Sequence, residues 1–111
     1  MPEEEWELIY YTTESGKIPF REWFQGLSDF KAQAVIDSRL IRLRLGNFGK
    51  CEPVSAGIFE LKIDYGPGYR VYFGRIPGKM ILLLCGGDKS TQAKDIHSAY
   101  FYWQHYRKKR K

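Results

Sequence analysis

The stretch Gly57-Ile58-Phe59-Glu60-Leu61-Lys62-Ile63-Asp64-Tyr65-Gly66-Pro67-Gly68-Tyr69-Arg70-Val71-Tyr72-Phe73 decides the fold. Phe59, Leu61, Ile63 and Tyr65 alternate with Glu60, Lys62 and Asp64, and a period of two is that of a half-buried strand. Gly66-Pro67-Gly68 then turns the chain into a second strand, Tyr69 to Ile76. A three-residue loop pairs Tyr65 with Tyr69, Ile63 with Val71 and Leu61 with Phe73, which keeps every apolar pair on one face. A slip of one residue would set Ile63 and Leu61 against polar-face positions. In this register Lys62, Arg70 and Tyr72 are neighbours on the opposite face, and Asp64 stands across from Arg70.

Downstream, Pro77-Gly78 turns the chain into Met80 to Cys85, which is apolar on both faces and so belongs in the sheet's interior. Ser90 or Thr91 then opens a helix that turns Ile96, Ala99, Tyr100 and Trp103 to the core. Upstream, Trp6 to Thr13 reads as a strand. Pro19 suits the first turn of a short helix reaching Leu27. Ser28 or Asp29 caps a longer helix carrying Ala32, Ile36, Leu40 and Leu43 on one side, with Arg39 and Arg42 on its wet side, and ending near Gly46. The order β-α-α-β-β-β-α implies an α+β fold, a largely antiparallel sheet with helices packed on one face and the other face left free.

A chain of 111 residues, 43% hydrophobic and 28% charged, is expected to form one globular domain, 1–111. Its acidic start, Met1-Pro2-Glu3-Glu4-Glu5, is unlike a signal peptide, and Met80 to Leu84 is far too short to span a bilayer. A cytoplasmic protein without a membrane partner is therefore expected. Cys51, Cys85, His97 and His105 show neither a disulfide framework nor ligand spacing for zinc, so no metal and no cofactor are expected. The net charge of +5 resides in the tail Arg107-Lys108-Lys109-Arg110-Lys111, since the rest balances 13 acidic residues with as many basic ones. Such a run suits a polyanion such as RNA, and equally a solvated helix end.

Two clusters could carry chemistry. Lys62, Arg70 and Tyr72 place two cations beside a phenol, which suits phosphate binding and base stacking; the plainer alternative is an exposed Asp64–Arg70 ion pair. In Gly86-Gly87-Asp88-Lys89-Ser90-Thr91-Gln92 the glycines allow a sharp turn into a helix whose free N–H groups face an anion, with Lys89 at the mouth. It lacks the spacing of a nucleotide-binding loop, so it reads equally well as a plain turn with a surface lysine.

Gly57-Ile58-Phe59-Glu60-Leu61-Lys62-Ile63, Gly66-Pro67-Gly68-Tyr69-Arg70-Val71-Tyr72-Phe73 and Leu83-Leu84-Cys85-Gly86-Gly87-Asp88-Lys89-Ser90-Thr91-Gln92, followed by Asp95-Ile96 and Ala99, resemble the RelE/HigB toxin superfamily, most closely its phage-derived addiction-module killer proteins. The resemblance extends over nearly the whole chain. It implies the toxin of a type II toxin–antitoxin pair, a metal-independent endoribonuclease that cleaves messenger RNA at the ribosome. It also implies neutralisation by an antitoxin of helix-turn-helix type, with operator DNA reached only through that antitoxin. By position, Lys62 and Arg70 match the family's active-site lysine and arginine, and Lys89 falls in its basic stretch after the last strand. With Tyr72 beside them these form the catalytic set, while Lys89, Arg107, Lys108 and Lys109 would bind RNA phosphates. Glu60 stands where some relatives carry a lysine. The late acid–base group of some members has no counterpart here: Tyr100 is expected to face the core, which leaves Tyr72, Tyr69 or His97. A gyrase-inhibiting toxin of the same fold and a non-catalytic nucleic-acid-binding module are the competing functions.

Overall fold

A computed structural model describes residues 5–109. The elements are β1 (Glu7–Tyr10), α1 (Pro19–Gln25), α2 (Phe30–Arg44), β2 (Cys51–Ser55), β3 (Ile58–Ile63), β4 (Tyr69–Ile76), β5 (Met80–Asp88), a 3-10 turn (Lys89–Thr91) and α3 (Gln92–Lys109). The strands form one open sheet in the order β1-β5-β4-β3-β2. Only the β1–β5 pair is parallel. Among the described residues no helix is long and apolar enough to cross a membrane.

The helix ends follow from local chemistry. Pro19 stands at the start of α1, where its missing N–H costs nothing. Asp29, not Ser28, caps α2 by accepting from the backbone N–H of Lys31 at 2.9 Å and Ala32 at 3.3 Å. Its other end closes as Gly46, at φ 88°, donates to Leu43 O while Asn47 donates to Arg42 O. Arg42 is exposed, but Arg39 is half-buried and donates to Lys62 O at 3.1 Å, so it is not simply on the wet side of α2.

Four sequence expectations are corrected. First, β2 precedes the expected meander. It joins β3 through Ala56 (φ 41°) and Gly57 (φ 92°), both left-handed as a tight two-residue hairpin requires. Second, the β3–β4 hairpin has a longer loop. Ile63 pairs with Tyr69, Leu61 with Val71 and Phe59 with Phe73, two residues from the expected register. Lys62, not Asp64, therefore lies across from Arg70, while exposed Asp64 pairs with Lys50.

Third, both faces of the sheet are covered. On one face Phe20 of α1 and Ile36, Leu40 and Leu43 of α2 meet Leu61, Ile63, Val71, Phe73, Ile81 and Leu83. On the other, Ala99 and Trp103 of α3 meet Ile58, Tyr72, Leu82, Leu84 and Cys85. Tyr100 is 43% exposed, because Ala99 and Trp103 occupy the inner stripe of α3. Fourth, Gly86 and Gly87 are not a turn; they continue β5 opposite Val71 and Arg70. A Cβ on Gly86 would overlap Trp23 of α1, and one on Gly87 would overlap Asp95 of α3. The pair lets a helix approach the strand from each side.

Candidate anion-binding site

Arg70 and Tyr72 on β4 point to the α3 side, beside Glu60 and Lys62 on β3. The first turn of α3 lies over them and brings in Gln92. At the centre is Glu60, 1% exposed, whose Oε2 accepts from the Tyr72 hydroxyl at 2.9 Å and from Gln92 Nε2 at 2.7 Å. Arg70 Nε lies 3.8 Å from the same oxygen, within ion-pair range but beyond a hydrogen bond. That Nε is buried without a hydrogen-bond partner. Arg70 is 7% exposed, and its Nη1 makes one long bond, 3.4 Å, to Tyr69 O.

The outer side of Arg70 borders an open cavity of about 310 Å³ lined also by Lys89, Asp64, Tyr65 and the Gly66-Pro67-Gly68 turn. Gly68 adopts φ 85°, and a Cβ there would lie 3.6 Å from both Arg70 Nη1 and the Lys89 stem. A guanidinium and a lysine thus flank a turn whose positive φ at Gly68 suits glycine, with the Asp64 carboxylate on the same lining. Lys89 is placed by the turn before α3. There Asp88 accepts from Ser90 N at 2.8 Å and Ser90 Oγ at 2.6 Å, while Asp88 N donates to Thr91 Oγ1 at 3.3 Å. These bonds, the Ser90 hydroxyl first, hold the Asp88 carboxyl below its usual range.

The other sequence candidates lie elsewhere. Lys62 is Arg70's cross-strand partner, but its ammonium binds Glu52 on β2 at 2.9 Å and does not line the cavity. Tyr72 is 0% exposed, so its phenol serves Glu60 and no cavity. Burial first, then the bond to Glu60, drives its pKa far above the tyrosine range. Tyr69 packs against Trp23 on the opposite face, and burial raises its pKa as well. His97 is exposed on α3. Arg107 lies 5.7 Å over the ring of Trp103, and Lys108 and Lys109 are exposed at the end of α3, about 24–26 Å along the helix from Gln92. Arg110 and Lys111 lie outside the described residues.

Glu60 and Gln92 were absent from the sequence-based site. A diagonal cross-strand carboxylate beside Arg70 was readable once the register was known. Gln92 had no sequence signal of its own.

No protein-family profile matches the chain. It is 51% identical over 82 residues to a Haemophilus influenzae protein described as an uncharacterized protein, an alignment covering 74% of this chain and 83% of that one. The chain belongs to the same family as that protein.

Proposed function

We propose that this chain, a member of one family with the Haemophilus influenzae protein, is the toxin of a type II toxin–antitoxin pair with the RelE/HigB topology, cleaving messenger RNA on the ribosome. The observation that carries the reading is the buried arginine, Arg70, bordering an open cavity that it shares with Lys89. Attack of a ribose 2′-hydroxyl on the neighbouring phosphate gathers negative charge on the phosphoryl oxygens. A preorganised guanidinium stabilises that charge where it develops. Arg70 offers a planar fork that stays charged, and Lys89 supplies a second, movable cation. Lys62, Arg70's cross-strand neighbour, would help only if it leaves Glu52. Tyr72 supports Glu60 and does not act as acid or base. A helix-turn-helix antitoxin that covers or distorts the cavity completes the pair.

The test is transcript cleavage on translating ribosomes, with thermal unfolding, for Arg70→Lys, Arg70→Ala and Lys62→Ala. Arg70→Lys keeps the charge but loses the fork, and cleavage should fall by about 10²–10³. Lys62→Ala should lose much less. Arg70 is buried, so its variants also affect stability. Arg70→Ala leaves buried Glu60 facing no cation, and breaking a buried pair costs up to about 3–5 kcal/mol, so rates must be compared per folded molecule. Full cleavage by folded Arg70→Ala rejects the assignment. No cleavage by the parent chain favours the gyrase-inhibiting or binding-module function. Growth arrest by the parent that no neighbouring gene relieves rejects the antitoxin pairing.

A further inference from the structure

We infer that Glu60 is a positioning residue for Arg70, fixing the guanidinium from its Nε side so that the terminal amino groups face the cavity beside Lys89. Three observations converge on this. Glu60 and Arg70 are both more than nine-tenths buried, so neither charge is dissipated by water. The carboxylate is itself immobilised by two neutral donors, the Tyr72 hydroxyl from β4 and the Gln92 amide from α3. Arg70 Nε, its ion-pair contact 3.8 Å from Glu60 Oε2, has no hydrogen-bond partner.

A guanidinium presents its donors in a rigid planar fork, so orienting Nε orients the two amino groups. With Nε turned inward to Glu60, one edge of the fork lies against the protein. The remaining amino-group donors are then available to two oxygens of one phosphate. A lysine at position 60 would repel Arg70 and could not do this. The tie to Gln92 also links the guanidinium's orientation to the seating of α3 on the sheet.

A simple field effect has the opposite sign. Removing a carboxylate beside a cationic cavity should tighten anion binding by Coulomb attraction alone, whereas removing a positioning group should weaken it. Glu60→Gln keeps the side chain's size and one acceptor oxygen for Tyr72 and Gln92, and replaces the charged second oxygen with a neutral amide nitrogen. Orthophosphate binding to the full chain is the probe, read together with the Arg70 Nε–H signal by nuclear magnetic resonance and with cleavage on ribosomes.

Orthophosphate affinity of Glu60→Gln should fall by about tenfold, as the guanidinium loses the ion-pair contact that holds its Nε side. Cleavage should fall by about 10²-fold, the loss that accompanies misplacement on the ångström scale. Only the cleavage arm rests on the RNA reading. Weakened phosphate binding by Glu60→Gln, with no cleavage by the parent, retains the positioning role and ends the RNA reading. Phosphate binding as tight as the parent's, or tighter, with the Arg70 signal unmoved, overturns the positioning role even where the parent cleaves RNA. Should Glu60→Gln not fold, the parent decides. A single, slowly exchanging Arg70 Nε–H that shifts with phosphate supports the role, and a rapidly exchanging, averaged one overturns it.

Discussion

At Asp88 one carboxylate both caps the turn that carries Lys89 and titrates below the usual range. Its folded value is depressed, so the charged form is favoured by folding. That contribution is complete above the unfolded value of about 3.9 and is lost as pH falls through the lower folded value. Asp88→Ala should cost about 1 kcal/mol at neutral pH, as loss of a cap does. The gap between parent and variant in thermal unfolding should close as the pH is taken below about 4. A gap that persists at full size under more acidic conditions would mean that the ionised form is not what caps the turn. Single residues were unevenly legible in the sequence. Arg70 and Lys89 were singled out from the sequence, although each read as well as an ordinary ion-paired or surface cation. Tyr72 misled, since a tyrosine in a polar alternation looks exposed until the helix above it is known.

Among the elements, the sheet is packed from both sides, and its glycines record where helices come closest. At Gly74 a Cβ would overlap the indole of Trp103, whose Nε1 donates to Ala56 O at 3.0 Å. Gly74→Ala should therefore destabilise by about 1–3 kcal/mol in urea unfolding, as overpacking does. The penalty should shrink in a Trp103→Phe background, because the two sites are in direct contact. Equal penalties in both backgrounds would place the cost in the strand itself. The helices α1 and α2 and the strand β4 were legible from Pro19, Asp29 and the alternation after Gly68. The hairpin register was not, because a slip of two residues preserves which face every side chain takes. β2 was missed because Pro53 breaks its pattern, as proline does in an edge strand. A signal for the covered second face was present: Met80 to Cys85 is apolar on both sides, which demands a layer above as well as below.

Across the whole molecule, cations stand at both ends of α3, and those by its first turn lie among the carboxylates of Glu60, Asp64 and Asp88. Lys89 and Arg70 lie by its first turn, and Arg107, Lys108 and Lys109 stand at its last. At the cavity end Arg70 is buried beside Glu60, while Lys89 is exposed. The tail carries the entire net charge of +5, and its described residues, 107–109, are exposed. The two should therefore separate in their response to salt. Deleting residues 108–111 removes four of those five charges while leaving Arg107 on the Trp103 ring. If the tail tracks an RNA backbone, the slope of log affinity for single-stranded RNA against log salt should flatten by about 0.7 for each phosphate that the shortened chain no longer neutralises. Orthophosphate binding at the Arg70–Lys89 cavity should stay within about twofold of the parent's, the scatter expected of independent sites. An unchanged slope would make the tail a solvated helix end. A parallel weakening of orthophosphate binding would mean that the two ends act as one field, although screening by salt reaches only about 8–10 Å at physiological strength and the sites are farther apart than that.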